Sequence, residues 1–269
     1  MVPKVLTIAG SAAQGSAGIQ ADLKTFQERD VYGMAAITAM VANNTITKQG
    51  IFTHSLEAVE AQYYTAAEKV GFDAVKTGML FTKEIISLVA GLLEKGPTKK
   101  IVVDPVMIGK MGSQLLRDDA IELMKEKLIP LAWVITPNLH EAERLLECGP
   151  IDTTAAMREA AKQLYQLGPE YVLVKGGSLK ESAVDVLYDG STFTEFYQER
   201  INTIHTSGAG CSYSAAITAE LAKNKPMEEA VDTAKAFVTA AIQYPLDFGR
   251  GIGSTYHAAY RKYGNEVTD

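Results

Sequence analysis

Short runs of unbroken apolar residues, each stopped by a polar residue, a glycine or a proline, constrain this chain more than any other feature. Val5-Leu6-Thr7-Ile8-Ala9 ends at Gly10-Ser11, Ala74-Val75-Lys76 at Thr77-Gly78-Met79, and Ile101-Val102-Val103-Asp104 at Pro105. Trp133-Val134-Ile135-Thr136 ends at Pro137-Asn138, and Tyr171-Val172-Leu173-Val174-Lys175 ends at Gly176-Gly177. Residues 35–42 form a further strand-like run, before Asn43-Asn44-Thr45. Helical patterns separate these runs: Ile19 to Glu28, Leu56 to Lys69, residues 85–95, and from Cys211 to about Tyr244 with an interruption at Asn224-Lys225-Pro226. Strands apolar on both faces that alternate with helices predict an α/β fold, a mainly parallel sheet with helices on both sides. Residues 184–188 and 192–196, joined through Asp189-Gly190, predict an added β-hairpin. No linker or internal repeat stands out, so residues 1–269 are expected to form a single domain.

Composition excludes several classes of function. With 47% hydrophobic and 22% charged residues the chain reads as a globular protein and not as a disordered one. A net charge of −6 argues against a nucleic-acid surface. Cys148 and Cys211 are the only cysteines, too few for a disulfide framework and consistent with a reducing compartment. No signal-like N-terminus and no apolar run near the roughly 18 residues of a membrane span are present, so a cytoplasmic protein with no membrane partner is expected.

Open parallel sheets bind ligands beyond the carboxyl ends of their strands, and the polar breaks listed above all fall there. Thr206-Ser207-Gly208-Ala209-Gly210-Cys211 then runs into the alanine-rich Ser212-Tyr213-Ser214-Ala215-Ala216. A glycine turn that opens a helix aims unpaired N–H groups outward at the positive end of the helix dipole, which suits a phosphate. Cys211 would stand at the mouth of that site, where the dipole lowers a thiol's pKa. The alternative is an ordinary helix start with a buried cysteine.

The order of these motifs is what gives the chain a family likeness. Leu6–Ser11 with Gly15-Ser16-Ala17-Gly18-Ile19-Gln20-Ala21-Asp22-Leu23-Lys24-Thr25-Phe26, Lys76-Thr77-Gly78-Met79-Leu80 and Asp104-Pro105-Val106-Met107 come first. Thr136-Pro137-Asn138-Leu139-His140-Glu141-Ala142-Glu143, Lys175-Gly176-Gly177 and Gly208-Ala209-Gly210-Cys211 follow. In order and spacing the whole chain resembles the hydroxymethylpyrimidine and pyridoxal kinases of the ribokinase superfamily. The resemblance implies a ribokinase-like three-layer sandwich and transfer of the γ-phosphate of ATP to a hydroxymethyl group on a vitamin-precursor ring.

It also implies roles. The amides of Gly208, Ala209 and Gly210 would hold the transferring phosphoryl group, and Cys211 would interact with or deprotonate the substrate hydroxyl. Asp104 and Glu141 would face Mg²⁺ or its waters, with a monovalent cation as an optional second ion. Asn138, Lys175, Gly176, Gly177 and Thr206 would line the ATP side, and Gly10, Val41, Asn43, Met79 and Val106 the ring. Gly109, Lys110 and Gly112 would belong to a lid, and a homodimer is the expected assembly.

Departures from the family pattern bear on the substrate. Asn43 stands where pyrimidine kinases usually carry glutamine, and one methylene less draws the amide back from the ring. Ala12 replaces a usual aspartate, Ser207 a histidine, and Gly109 the lid cysteine of the pyridoxal kinases most like this chain. Ser254 and Tyr256 replace a proline and an asparagine. Ala183-Val184-Asp185-Val186-Leu187-Tyr188-Asp189-Gly190 looks more like Gram-positive pyridoxal kinases, whereas the lid and Asn44-Thr45 look more like pyrimidine kinases. The expected acceptor is pyridoxal, pyridoxine or pyridoxamine. The alternatives are hydroxymethylpyrimidine or its phosphate, dual activity, a non-catalytic nucleotide- or vitamin-binding relative, and, more remotely, a sugar kinase.

Overall fold

Alternate residues of the central strands pack on opposite sides of one sheet, which is why those strands read as continuous apolar runs. Val103, Val172 and Val174 face one helical layer, whereas Val102 and Leu173 face the other. The computed structural model describes residues 1–109, 112, 114–179 and 183–264. Its strands are β1 (Lys4–Ala12), β2 (Tyr32–Val41), β3 (Ile51–Thr53), β4 (Ala74–Thr77), β5 (Ile101–Val103), β6 (Val134–Ile135), β7 (Tyr171–Lys175), β8 (Ala183–Tyr188) and β9 (Phe193–Gln198). They form a nine-stranded sheet in the order β3-β2-β1-β4-β5-β6-β7-β8-β9. The six from β2 to β7 are mutually parallel, β3 is an antiparallel edge strand, and β8–β9 is the expected hairpin.

The helices are α1 (Ile19–Glu28), α2 (Leu56–Lys69), α3 (Lys83–Glu94), α4 (Ile121–Leu123), α5 (Leu139–Leu146), α6 (Thr154–Tyr165), α7 (Ala209–Ala222), α8 (Met227–Gln243) and α9 (Ala259–Tyr263). Residues of α2, α3, α5 and α6 fill the core on one side of the sheet, and residues of α1, α7 and α8 fill the other. This is the three-layer arrangement that the alternating pattern predicts.

β1 is longer than the sequence implies. It continues through Gly10-Ser11 to Ala12, with a register shift against β2 between Ala9 and Ser11. The edge strand β3, helix α6 and the irregular helical stretch over 118–131 lack a clear signal in the sequence. Helices α5 and α9 are likewise not among the expected helical patterns; the remaining elements lie within a few residues of expectation, and α1, α2 and β7 match at both ends.

Helix α7 is the centre of its layer. From Ser212 to Ala222 every residue is buried, which small side chains permit by letting α1 and the sheet approach closely. Ala215, Ala219 and Ala222 pack with Val5, Phe26 and Ala74. Within this layer Glu220 is an acidic side chain with no exposure. It pairs with Arg29, the residue that caps α1, at 2.6 Å, Lys223 at 3.1 Å and Lys225 at 3.2 Å. The Arg29 guanidinium also lies over Phe237 and Tyr260 at 5.8 and 5.3 Å, which ties α1 to α8 and α9.

Burial pushes the Glu220 carboxyl upward, but Arg29 and Lys223 outweigh it and hold it below its ordinary value of 4.5. A depressed folded-state pKa gives stability that is present above 4.5 and lost as pH falls through the lowered value. Glu220→Gln is therefore expected to cost about 1.5–3 kcal/mol near neutral pH. In urea unfolding the gap to wild type should narrow steadily below pH 4.5, and a gap that does not change with pH would contradict this assignment.

Candidate active site

The loops beyond the carboxyl ends of β1, β4, β5 and β6, together with the start of α7, enclose a cavity of about 280 Å³. A second cavity of about 370 Å³ lies beside it, against β8, the segment after β9, and α8. The two share Asn138, Lys175, Thr206, Ala209 and Gly210 as a common wall. Two ligands, one per cavity, would therefore meet at the first turn of α7.

Gly208 shapes that turn. It adopts φ 86°, and a Cβ there would lie 1.7 Å from the Ser16 carbonyl oxygen. Only glycine fits. The N–H groups of Gly210 and Cys211 belong to the first helical turn, where no preceding helical carbonyl is in reach. Ser207 is tied to Ser16 by an Oγ–Oγ hydrogen bond of 2.8 Å. The Ser207 backbone is clasped from Gly253 and Thr255 (3.2 and 3.1 Å), so hydroxyl and backbone contacts brace the position where the family usually has histidine. Beneath the same turn, Ser212 Oγ meets His257 Nε2 at 2.9 Å. Burial lowers His257 to about 4, so the ring is neutral at physiological pH.

Asp104 follows β5 and joins four elements. Its Oδ1 accepts hydrogen bonds from Lys175 Nζ (3.0 Å) and Thr136 Oγ1 (3.3 Å), and its Oδ2 accepts one from Ser214 Oγ (3.0 Å). Burial works against the Lys175 charge, but Asp104 and then Glu141 outweigh it and keep the ammonium protonated. Glu141 and Asn138 form a capping box at the start of α5: Asn138 N–H donates to Glu141 Oε2, and Glu141 N–H donates to Asn138 Oδ1, both at 2.9 Å. Burial raises the Glu141 carboxyl to about 7, against the pull of Lys175.

Among the described residues no group of three His, Cys, Asp or Glu side chains is placed to hold a metal. Two carboxylates on one cavity wall still suit Mg²⁺, which keeps several waters and takes its other ligands from nucleotide phosphates.

Cys211 is half-buried on the wall of the first cavity, and its Sγ accepts a hydrogen bond from Gly18 N–H at 3.4 Å. The dipole argument from sequence gave the wrong sign for this thiol. Burial pushes it up to about 11, with Asp22 and Asp104 adding to the rise; Lys76 and the Gly18 amide pull the other way. A helix terminus and one amide do not offset burial of the sulfur.

All five residues expected around the ring (Gly10, Val41, Asn43, Met79 and Val106) line the first cavity, joined by Ile108, Gly109 and Leu115. Gly177 lines the second cavity. Gly176 lines neither and is reassigned: its N–H donates to Asp185 Oδ1 at 2.9 Å, which makes it a strand-end packing residue. Of the residues expected in a lid, Gly109 reaches the cavity, Gly112 closes a turn through its N–H to the Gly109 carbonyl (2.8 Å), and Lys110 lies outside the described residues. The sequence reading did not include Thr136 and Ser214, which hold Asp104, or the buried pair Asp22 and Lys76. A lysine in the middle of a buried strand was the available signal, because such a charge demands a partner.

A family model described as phosphomethylpyrimidine kinase matches residues 13–256. The chain belongs to that family. It is 48% identical over 263 residues to the pyridoxine kinase of Bacillus subtilis (strain 168), covering 96% of this chain and 97% of that one. It is 44% identical over 261 residues to the hydroxymethylpyrimidine/phosphomethylpyrimidine kinase of the same organism, covering 96% of each. The solved Staphylococcus aureus pyridoxal kinase in complex with AMP-PCP and pyridoxal superposes with a TM-score of 0.90 at 40% identity, covering 97% of this chain and 96% of that one. The chain is thus a kinase with the ribokinase-like fold that its motif order implied. No helix among the described residues is long and apolar enough to cross a membrane.

For this family member, Gly208→Ala is expected to lower kcat by ~10²-fold or more, since the helix start that carries the N–H donors must shift. Steady-state kinetics with far-UV circular dichroism as the folding control tests this; a folded variant with wild-type kcat would contradict it.

Proposed function

We propose that this kinase transfers the γ-phosphoryl group of ATP to the hydroxymethyl group of a B6 vitamer (pyridoxal, pyridoxine or pyridoxamine), with residues 1–269 acting as one catalytic domain. The observation that carries the choice of acceptor is the position of Asn43. A Cβ on Gly50 would lie 2.0 Å from Asn43 Oδ1, so the shortened amide rests against the Gly50 backbone at the turn between β2 and β3. Asn43 lines the first cavity with an amide one methylene shorter than the glutamine usual in pyrimidine kinases. Val41, Met79, Val106, Ile108 and Leu115 supply an apolar wall suited to a flat ring. The pyridoxine kinase relative and the pyridoxal-bound neighbour support the same choice.

ATP is placed in the second cavity, between Gly177, Thr206 and α8, with its phosphates directed at the shared wall. Phosphoryl transfer needs positioning and charge stabilisation more than covalent help from the protein. The first-turn N–H groups of α7 and the Lys175 ammonium supply the positive charge. Asp104 fixes Lys175 in place. Asp104 and Glu141 would hold Mg²⁺ through its waters, and the ion would neutralise charge on the nucleotide phosphates. In the transfer itself the substrate hydroxyl oxygen bonds to the γ-phosphorus, the bond to the bridging oxygen breaks toward ADP, and the hydroxyl proton would pass to Cys211 Sγ once that sulfur has given its own proton to water, a step that burial of the thiol opposes. Val106, Ile108, Gly109 and Leu115 line the first cavity, Leu115 N–H is bonded to the Met107 carbonyl at 2.8 Å, and this part of the chain would serve as the lid that excludes water.

Side-by-side ATP/Mg²⁺ assays with pyridoxal and hydroxymethylpyrimidine test the assignment. A clear kcat/KM advantage for pyridoxal is expected; the reverse order would assign the chain to the pyrimidine branch, which its 44% identical relative represents. Turnover of neither would overturn the kinase reading in favour of a binding protein. Cys211→Ala should lower kcat by ~10²-fold with little change in KM for ATP, and an unchanged kcat would remove the thiol from the mechanism. Gly50→Ala should displace the Asn43 amide and raise KM for the vitamin acceptor while leaving KM for ATP unchanged. Equal effects on both substrates would contradict the specificity role.

A further inference from the structure

Asp104 holds Lys175 at its ammonium, and a second buried carboxylate holds the chain at the other end of the same side chain. Asp185 of β8 stands directly opposite Lys175 in the antiparallel register of β7 and β8, so both side chains project from one face of the sheet. Leu173 and Leu187, two residues away along each strand, pack on that face with residues of α7 and α8. Asp185 Oδ1 accepts the Gly176 N–H at 2.9 Å, and Oδ2 accepts from Lys235 Nζ of α8 at 2.7 Å. Lys235 also donates to the Ala183 carbonyl at 2.9 Å. Both charges are buried, at 2% and 6% exposure. Gly176 is seated tightly, for a Cβ there would lie 2.0 Å from the Val184 carbonyl oxygen. On the other side of the strand, Lys175 N–H donates to the Pro137 carbonyl at 2.8 Å. Lys175 therefore leaves the sheet between two fixed main-chain bonds, its own to Pro137 and that of the next residue to Asp185. Asp185 and Lys235 line the second cavity together with Lys175, yet the mechanism given above assigns neither a task.

We propose that the Asp185–Lys235 ion pair is a positioning device for phosphoryl transfer: it fixes the Gly176 amide, and with it the point at which the Lys175 side chain leaves β7, so that the ammonium stands at the first turn of α7. This rests on the reading of Lys175 as the cation that meets the transferring phosphoryl group, and extends it to two side chains that act through the backbone. A lysine ammonium is a point charge on a flexible four-carbon stem, so a bond at its tip alone lets the stem follow any movement of the strand end. Asp104 fixes the tip at 3.0 Å, and the bond from Gly176 to Asp185 fixes the root. The Asp185 carboxylate suits that task only while its charge is met. Unpaired at this depth it would be costly, and on the face from which Lys175 projects it would compete with Asp104 for the ammonium. Lys235 meets that charge from α8. Asp185 and Lys235 are thus positioning residues, and neither has to touch the phosphoryl group.

A pair of double variants isolates the bond to Gly176. Asp185→Asn/Lys235→Met and Asp185→Leu/Lys235→Met both remove the buried charges at similar volume, but only the asparagine can still accept the Gly176 N–H. Their steady-state kinetics are compared with MgATP and whichever of pyridoxal and hydroxymethylpyrimidine the enzyme turns over, with far-UV circular dichroism as the folding control. The leucine variant is expected to show a kcat ~10-fold or more below that of the asparagine variant, while KM for ATP agrees within about twofold between them. Made again on a Lys175→Met background, the comparison should lose most of the difference, because no ammonium is left to misplace. Asp185→Ala/Lys235→Met, which also lacks the acceptor, replaces the leucine variant if that one does not fold. Equal kcat in the folded variants with and without the acceptor overturns the proposal. So does a difference that persists undiminished without Lys175, which would make the pair a general support of the fold. The reading of Lys175 fails separately, through a wild-type kcat in Lys175→Met alone.

Discussion

The buried carboxylate of Asp104 is the point from which the rest of the site is measured. It is 2% exposed, and a charge so placed is tolerable only when its oxygens are satisfied. Its donors come from three other elements: Thr136 beyond β6, Lys175 at the end of β7, and Ser214 one turn into α7. Through these bonds a single side chain sets where the lysine ammonium stands relative to the first turn of the helix. Lys175 Nζ lies so near Gly210 that a Cβ there would be 3.6 Å away. The cation and the helix N–H groups thus converge on one point, and that point is the wall shared by the two cavities.

Around this node the chain's departures from its family are absorbed by local packing. Ser207 loses whatever a histidine would offer but gains Ser16, and the 253–255 segment clasps its backbone. The glycine at 208 lets the 12–18 loop and the start of α7 touch backbone to backbone.

The sequence made the strands legible because a buried parallel strand is apolar on both faces, and their polar ends fell on the site as the sheet geometry demands. Asn138 and Glu141 stand at the three-residue spacing that a capping box needs, but the sequence reading places them as ligand-side residues and not as a helix cap. What stayed hidden depended on contacts distant in sequence. Asp22 and Lys76 sit on a helix and a strand 54 positions apart, and neither local pattern announces the other. The thiol of Cys211 was misjudged for the same reason: the dipole of its own helix is visible in the sequence, whereas burial and the carboxylates of Asp22 and Asp104 are not. Gly176 looked like part of a nucleotide loop because two glycines follow a lysine, but its amide is taken by Asp185 across the β7–β8 pair. Edge strand β3, only three residues long, carries too little pattern to register.

Under the proposed function, two substrates seated in cavities that meet at one helix start would react by a single direct displacement, with Cys211 handling a proton and never the phosphoryl group. The stereochemical course at phosphorus tests this most directly, with ATP made chiral by isotopic labelling at the γ-phosphorus and the configuration of the phosphorylated product determined. Direct in-line transfer predicts inversion. Retention would mean two successive displacements through a phosphorylated side chain, and would contradict the account.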